Sequence, residues 1–161
     1  MAPSFTDSSG VFVSTNGGTT WIDRSAANMH WWTMDITIDP TDAKQNTWCT
    51  GVYSGRGGAA NNRGGLYKTT NRGQTWTEVW NSDRVGSCTV DPMNPKVVYV
   101  TTETEGLWVT VNTTSASPTF NQVASYPFRQ PVRVFFNPNK PSEVWVTSFG
   151  NGLRVGEQTG P

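Results

Sequence analysis

The stretch Gly65-Leu66-Tyr67-Lys68-Thr69-Thr70-Asn71-Arg72-Gly73-Gln74-Thr75-Trp76-Thr77-Glu78-Val79-Trp80 decides the fold. A short alternating run enters a polar turn built on Asn and Gly, and a second alternating run leaves it. Alternation with β-branched and aromatic residues marks both runs as strands, and the octet between them carries the residues of a tight turn. Earlier in the chain Gly10-Val11-Phe12-Val13 leads in the same way into Ser14-Thr15-Asn16-Gly17-Gly18-Thr19-Thr20-Trp21. Gly106-Leu107-Trp108-Val109 and Gly152-Leu153-Arg154-Val155 repeat the opening run.

Upstream of these runs a second pattern recurs. Ile36-Thr37-Ile38-Asp39-Pro40, Cys88-Thr89-Val90-Asp91-Pro92 and Val134-Phe135-Phe136-Asn137-Pro138 each end a strand in an Asp-Pro or Asn-Pro turn. Each is followed by an aromatic-bearing strand, at Trp48-Cys49, Val97-Val98-Tyr99-Val100 and Val144-Trp145-Val146. The repeating unit is therefore four short strands, a to d, with a period of roughly 45 to 55 residues. The chain 1–161 reads as c-d over 10–25, a-b-c-d over 33–80 and 85–125, and a-b-c over 132–156. Four antiparallel strands in that length are the signature of a β-propeller blade. The expected fold is all-β, a partial β-propeller of about three blades, with almost no helix. Closed propellers take roughly four to eight blades, so the chain is not expected to close a ring alone.

Composition narrows the function. Of 161 residues, 12 are Lys or Arg and 12 are Asp or Glu, so the net charge is zero. That balance supplies no field for nucleic acid or an anionic membrane. Aromatics reach 12 % and recur in register, against disorder. No apolar run approaches the ~18 residues of a membrane span. The opening Met1-Ala2-Pro3-Ser4-Phe5 has neither the basic nor the apolar region of a signal peptide.

The two octets resemble the Asp-box, Ser/Thr-x-Asp-x-Gly-x-Thr-Trp, of BNR-repeat propellers. Ser14, Asn16, Gly18, Thr20 and Trp21 match it, as do Thr69, Asn71, Gly73, Thr75 and Trp76, with Asn where the pattern has Asp. A third box, Thr110-Val111-Asn112-Thr113 through Thr119-Phe120, is longer and ends in Phe. The Asn side chain can hydrogen-bond the turn's own backbone, and the Gly adopts a conformation closed to other residues. The Trp is expected to fold over the hairpin and plug the gap between strands. The motif stabilises a turn, so it names a fold and not an activity. With the Asp-Pro turns and Gly-Gly-Leu-Tyr, the chain most resembles propellers of glycoside hydrolase family 74, the xyloglucanase type, and of the Vps10/sortilin type. Phe128-Arg129-Gln130-Pro131 echoes a sialidase motif but has Gln for Ile.

In a propeller the d-a and b-c connections share one face, and ligand-binding residues are expected there. The d-a connections hold His30, Trp31 and Trp32, then Asp83 and Arg84, then Tyr126, Arg129 and Gln130. The b-c connections hold Tyr53, Arg56 and Arg63, then Glu103 and Glu105, then Asn151. Aromatics among forked polar groups suit a sugar, whose ring face stacks while its hydroxyls take hydrogen bonds. The long Arg56–Arg63 loop is glycine-rich, but no helix follows it to bind a phosphate.

Glycoside hydrolysis needs two carboxylates roughly 5 to 9.5 Å apart. The family 74 resemblance implies Glu103 as a catalytic candidate, with Glu in place of Asp, and a catalytic pair that is incomplete in this chain. No cofactor is expected. One His and two Cys match no metal spacing, so no metal is expected either. Cys49 and Cys88 occupy apolar repeat positions and are expected to serve as small core side chains. A disulfide would have to join strand b of one blade to strand a of the next, and none is expected.

The leading expectation is polysaccharide recognition within a secreted or extracellular glycan-active protein. The alternatives are a protein-interaction scaffold of the Vps10/sortilin type, or part of a glycoside hydrolase whose catalytic pair is incomplete here. Unfinished blades at both ends imply a homo-oligomer or a complementary propeller fragment as partner.

Overall fold

A computed structural model describes residues 9–29, 31–54, 59 and 61–158. It contains four separate antiparallel sheets and one 3-10 turn, Ala27–Met29. The first sheet is the hairpin of β1 (Phe12–Val13) and β2 (Ile22–Asp23). The second is a four-stranded meander of β3 (Trp32–Ile38), β4 (Trp48–Tyr53), β5 (Gly65–Thr69) and β6 (Thr77–Trp80). The third repeats it with β7 (Val85–Val90), β8 (Val98–Thr102), β9 (Leu107–Thr110) and β10 (Asn121–Gln122). The fourth holds β11 (Pro131–Asn137), β12 (Lys140–Ser148) and β13 (Gly152–Glu157). These sheets are the blades of a partial β-propeller, and among the described residues they do not close into a ring.

The third and fourth blades are anchored through their first strands. β7 packs against β3 and β4 of the sheet before it, and β11 against β7 and β8. A repeated hydrogen bond ties these inner strands: Thr37 Oγ1 donates to the Cys88 carbonyl at 2.7 Å, and Thr89 Oγ1 to the Val134 carbonyl at 2.9 Å. All three inner strands break register at the same place, between Thr33 and Asp35, Val85 and Ser87, and Pro131 and Arg133. A bulge at a fixed repeat position bends each strand alike and increases its twist. Just past it, Arg133 of β11 forms an ion pair with Asp35 of β3, tying the second sheet to the fourth. Gly51 permits the close approach of β4 to β7, since a Cβ there would lie 2.8 Å from Val85 Cγ1.

Apolar side chains fill the three layers between sheets. Val11, Met29, Trp48, Val52 and Tyr67 form the first layer. Leu66, Val85, Val90, Val98 and Val100 form the second with the two cysteines, and Leu107, Val134, Val144 and Val146 the third.

The polar turns share one wiring. Asn16 Oδ1 accepts from Thr20 N at 3.0 Å, Asn71 Oδ1 from Thr75 N at 2.9 Å, and Asn112 Oδ1 from Thr119 N at 3.0 Å. Ser14, Thr69 and Thr110 each donate a hydroxyl to that same Asn oxygen. The longer third turn thus keeps the same clamp. Gly18 and Gly73 take φ of +89° and +76°, the left-handed region open to Gly at little cost.

The tryptophans of these turns differ from the expectation of a common plug. Trp76 reaches the preceding sheet, where its indole N–H donates to the Arg24 carbonyl at 2.6 Å, and its ring lies 6.5 Å from that of Trp48. Phe120 does the same against the second sheet, stacked 4.7 Å from Trp80. Trp21 is 62 % exposed, because no sheet among the described residues precedes its hairpin. Trp76→Ala should therefore cost about 3 kcal/mol, and Trp21→Ala less than about 1 kcal/mol, in urea unfolding. Equal losses would contradict this assignment of the two rings.

Candidate ligand-binding face

Strand polarity places the start of each inner strand beside the end of its neighbour b, so the d-a and b-c connections meet at one edge. Two of the inner strands are entered through a left-handed residue, Arg84 at φ +61° and Gln130 at φ +58°. The carbonyls of both accept an amide from the end of strand b, Glu103 N at 3.2 Å and Phe149 N at 3.0 Å. This backbone device holds the two connections together before any side chain contributes.

On the second blade, Trp32 and Tyr53 are cross-strand partners with ring centroids 6.0 Å apart. Tyr53 is only 7 % exposed, so it supports Trp32 from beneath. Trp31 points the other way, packing on the first apolar layer, and the Arg63 guanidinium lies 4.9 Å from its ring centroid. Cation–π contacts of this kind contribute about 0.5–1 kcal/mol at exposed sites. His30 and Arg56 lie outside the described residues.

Asp83 organises the long b-c loop. Its Oδ1 accepts from the Ser54 hydroxyl and from Gly64 N, and its Oδ2 from Asn61 N at 2.7 Å and Asn62 N at 3.1 Å. Desolvation pushes its pKa up, but the Ser54 hydroxyl and the three backbone amides outweigh it and hold the carboxyl below its ordinary value. The carboxylate is therefore committed to the loop. Arg84 and Glu103 form an ion pair at 3.0 Å across the neighbouring connections, and Ser82 Oγ donates to Glu105 at 3.3 Å.

The fourth blade contributes a separate aromatic group. Tyr126 and Phe128 meet edge to face with centroids 5.6 Å apart, and the Arg154 guanidinium covers Phe128 at 4.4 Å. They line a cleft of about 250 Å³ between the third and fourth sheets. Arg129 and Asn151 are exposed. The sequence-derived residues thus fall into pairs spread along one edge, Trp31 with Arg63, Trp32 with Tyr53 and Arg84 with Glu103, plus the Tyr126 group.

Three features escaped the sequence. Ser54, Asn61 and Asn62 could not be assigned to Asp83 without knowing how the loop folds back. The Asp35–Arg133 pair was legible in principle, since aligning the repeats puts Asp35, Ser87 and Arg133 in one column immediately before Ile36, Cys88 and Val134. A concavity of about 980 Å³ lies away from this face: it runs between β1 and β3, lined by Phe12, Met34, Ile36 and Ile38. It stands where strands a and b stand in the other sheets. Among the described residues no His, Cys, Asp and Glu cluster could hold a metal ion, and no helix is long and apolar enough to cross a membrane.

No family model matches the chain, and no curated protein matches it. Solved structures do. A GH74 xyloglucanase from Xanthomonas campestris superposes with a TM-score of 0.70 at 18 % identity, over 95 % of this chain and 26 % of that one. A GH74 enzyme from Niastella koreensis gives 0.65 at 19 % identity, over 89 % and 23 %, and an ancestral GH74 enzyme 0.65 at 18 %, over 98 % and 22 %. The fold is that of a segment of these glycoside hydrolase propellers, and the chain spans about a quarter of their length.

The carboxylate of Asp83 makes a pH-dependent prediction. Its folded-state pKa lies below the unfolded one, so its contribution is present above the unfolded pKa and is lost as pH falls through the folded pKa. Asp83→Asn should cost about 1.5–3 kcal/mol at neutral pH, and the two proteins should converge in acid. A deficit that persists unchanged in thermal melts down to acid pH would contradict it.

Proposed function

We propose that the chain is a carbohydrate-binding segment of a secreted, glycan-active propeller of the BNR/Asp-box type, with a xyloglucan-like polysaccharide as ligand. The observation that carries this reading is the row of pairs along one edge, Trp31 with Arg63, Trp32 with Tyr53 and Arg84 with Glu103. The fold-level likeness to a xyloglucanase supports it. A pyranose presents an apolar face to Trp32, whose partner Tyr53 fixes the ring, while its hydroxyls meet the Arg84–Glu103 pair. The residues that support binding do not add up to a hydrolytic pair. Glu103 is held by Arg84 and Asp83 is consumed by its loop, so the isolated chain binds without cleaving. Xyloglucan should retard the chain in affinity electrophoresis, and Trp32→Ala should weaken retention at least about tenfold. Unchanged retention, or release of reducing sugar that Glu103→Gln abolishes, would overturn this reading.

A specific observation favours a protein partner as well. On β3, Met34, Ile36 and Ile38 are 55 %, 42 % and 45 % exposed, although Ile36 holds the repeat position of the buried Cys88 and Val134. At the other end Phe135, Trp145 and Val155 form an exposed row across β11, β12 and β13. Both are faces that a further blade covers elsewhere in the chain. A second copy or a complementary propeller segment supplies that blade, so the chain should associate in solution. Light scattering should give a mass above that of one chain, lowered by Ile36→Asp or Trp145→Asp. A stably folded monomer with unchanged behaviour in both variants would contradict it.

A further inference from the structure

We propose that Cys49 and Cys88 form a disulfide that bridges the second and third blades. Cys49 lies on β4 and Cys88 on β7, and these strands face each other across the inter-blade layer. Their sulfurs are 2.6 Å apart, well inside the ~3.5–4 Å optimum of non-bonded heavy atoms. They are the chain's two cysteines, so neither has a competing partner within the chain. Strand b of one blade and strand a of the next were expected to stay unlinked, and both thiols are free in the structure. The packing nevertheless brings them together: β7 lies directly on β4, and Gly51, two residues from Cys49, sets the approach.

The surroundings hold this pair in place. Cys88 is 0 % and Cys49 5 % exposed, within a layer of Leu66, Val85, Val90, Val98 and Val100. Both backbones are fixed. Cys49 pairs with Thr37 and Lys68 on either side, Cys88 with Val100, and the Cys88 carbonyl also accepts from Thr37 Oγ1. Burial and the neighbouring Cys49 push the Cys88 thiol well above its ordinary pKa, so in the assembled layer neither oxidant nor thiolate is favoured. The bond therefore forms while the blades assemble. One S–S bond is made and two S–H bonds are lost. The two electrons and two protons pass to a small-molecule disulfide such as oxidised glutathione, which becomes two thiols.

Such a bridge fixes the interface on which the Asp83 loop and the Trp80–Phe120 stack both rest, and it persists only in an oxidising compartment. It does not depend on the carbohydrate reading. The test is to refold the full chain in a glutathione redox buffer and alkylate it in denaturant without reductant. The bridge predicts an intact mass about 2 Da below that of the reduced chain, with no alkyl adduct. Reduction should then expose both thiols and lower the melting temperature by about 5–10 °C. Cys49→Ala and Cys88→Ala should each melt at a temperature insensitive to reductant. Two alkylated thiols in the oxidatively refolded chain, or a disulfide only between chains on a non-reducing gel, would overturn the proposal. The mass and alkylation readouts need only the wild-type chain, so they decide even if the variants fail to fold.

Discussion

The seating of β7 and β11 on the first two strands of the blade before each is the contact from which the rest of this structure follows. β7 sits on β3 and β4, and β11 on β7 and β8. The Thr37 and Thr89 hydroxyls, the shared bulge and the close approach at Gly51 are three devices serving that one contact. A four-stranded sheet of this size cannot cover both its own faces, so burial comes from its neighbours. Where the neighbour is present, Cys88 and Val134 are sealed. Where it is lacking among the described residues, Ile36 and Trp21 face solvent.

The candidate binding edge inherits its geometry from the same seating. Because adjacent blades are locked through their inner strands, the d-a connection of one lies against the b-c connections of its own and the preceding blade. That brings Asp83 to the Ser54–Gly64 loop and Arg84 to Glu103. Among the described residues of this edge, Arg84 and Glu103 pair with each other and Asp83 is taken up by its loop.

The four-strand unit was legible because its signals are local. Alternation marks the strands, Asp-Pro and Asn-Pro mark the a-b turns, and the Asn-Gly octets mark the c-d turns. The side-chain clamp at Asn16 and Asn71 could be read from residue chemistry alone, and the third turn, extended to Thr119, keeps it. What was not legible was anything that depends on how one blade meets the next. Trp21 and Trp76 occupy the same motif position, yet one is exposed and the other bonded to Arg24, because only the second has a sheet before it. Cys49 and Cys88 read as two unrelated core side chains for the same reason. Asp83 read as a candidate ligand group, whereas its oxygens are taken up by amides of a loop some twenty residues earlier, a pairing with no local signature.

The seating of β7 on β3 and β4 makes the second and third blades one cooperative unit. Native-state hydrogen exchange with site resolution tests this directly. The amides of β4, β7 and β8 should exchange slowest and with a common opening free energy, while those of β2 and β10 exchange earlier through local fraying. Separate opening of β4 from β7, with the two blades exchanging at different free energies, would contradict it.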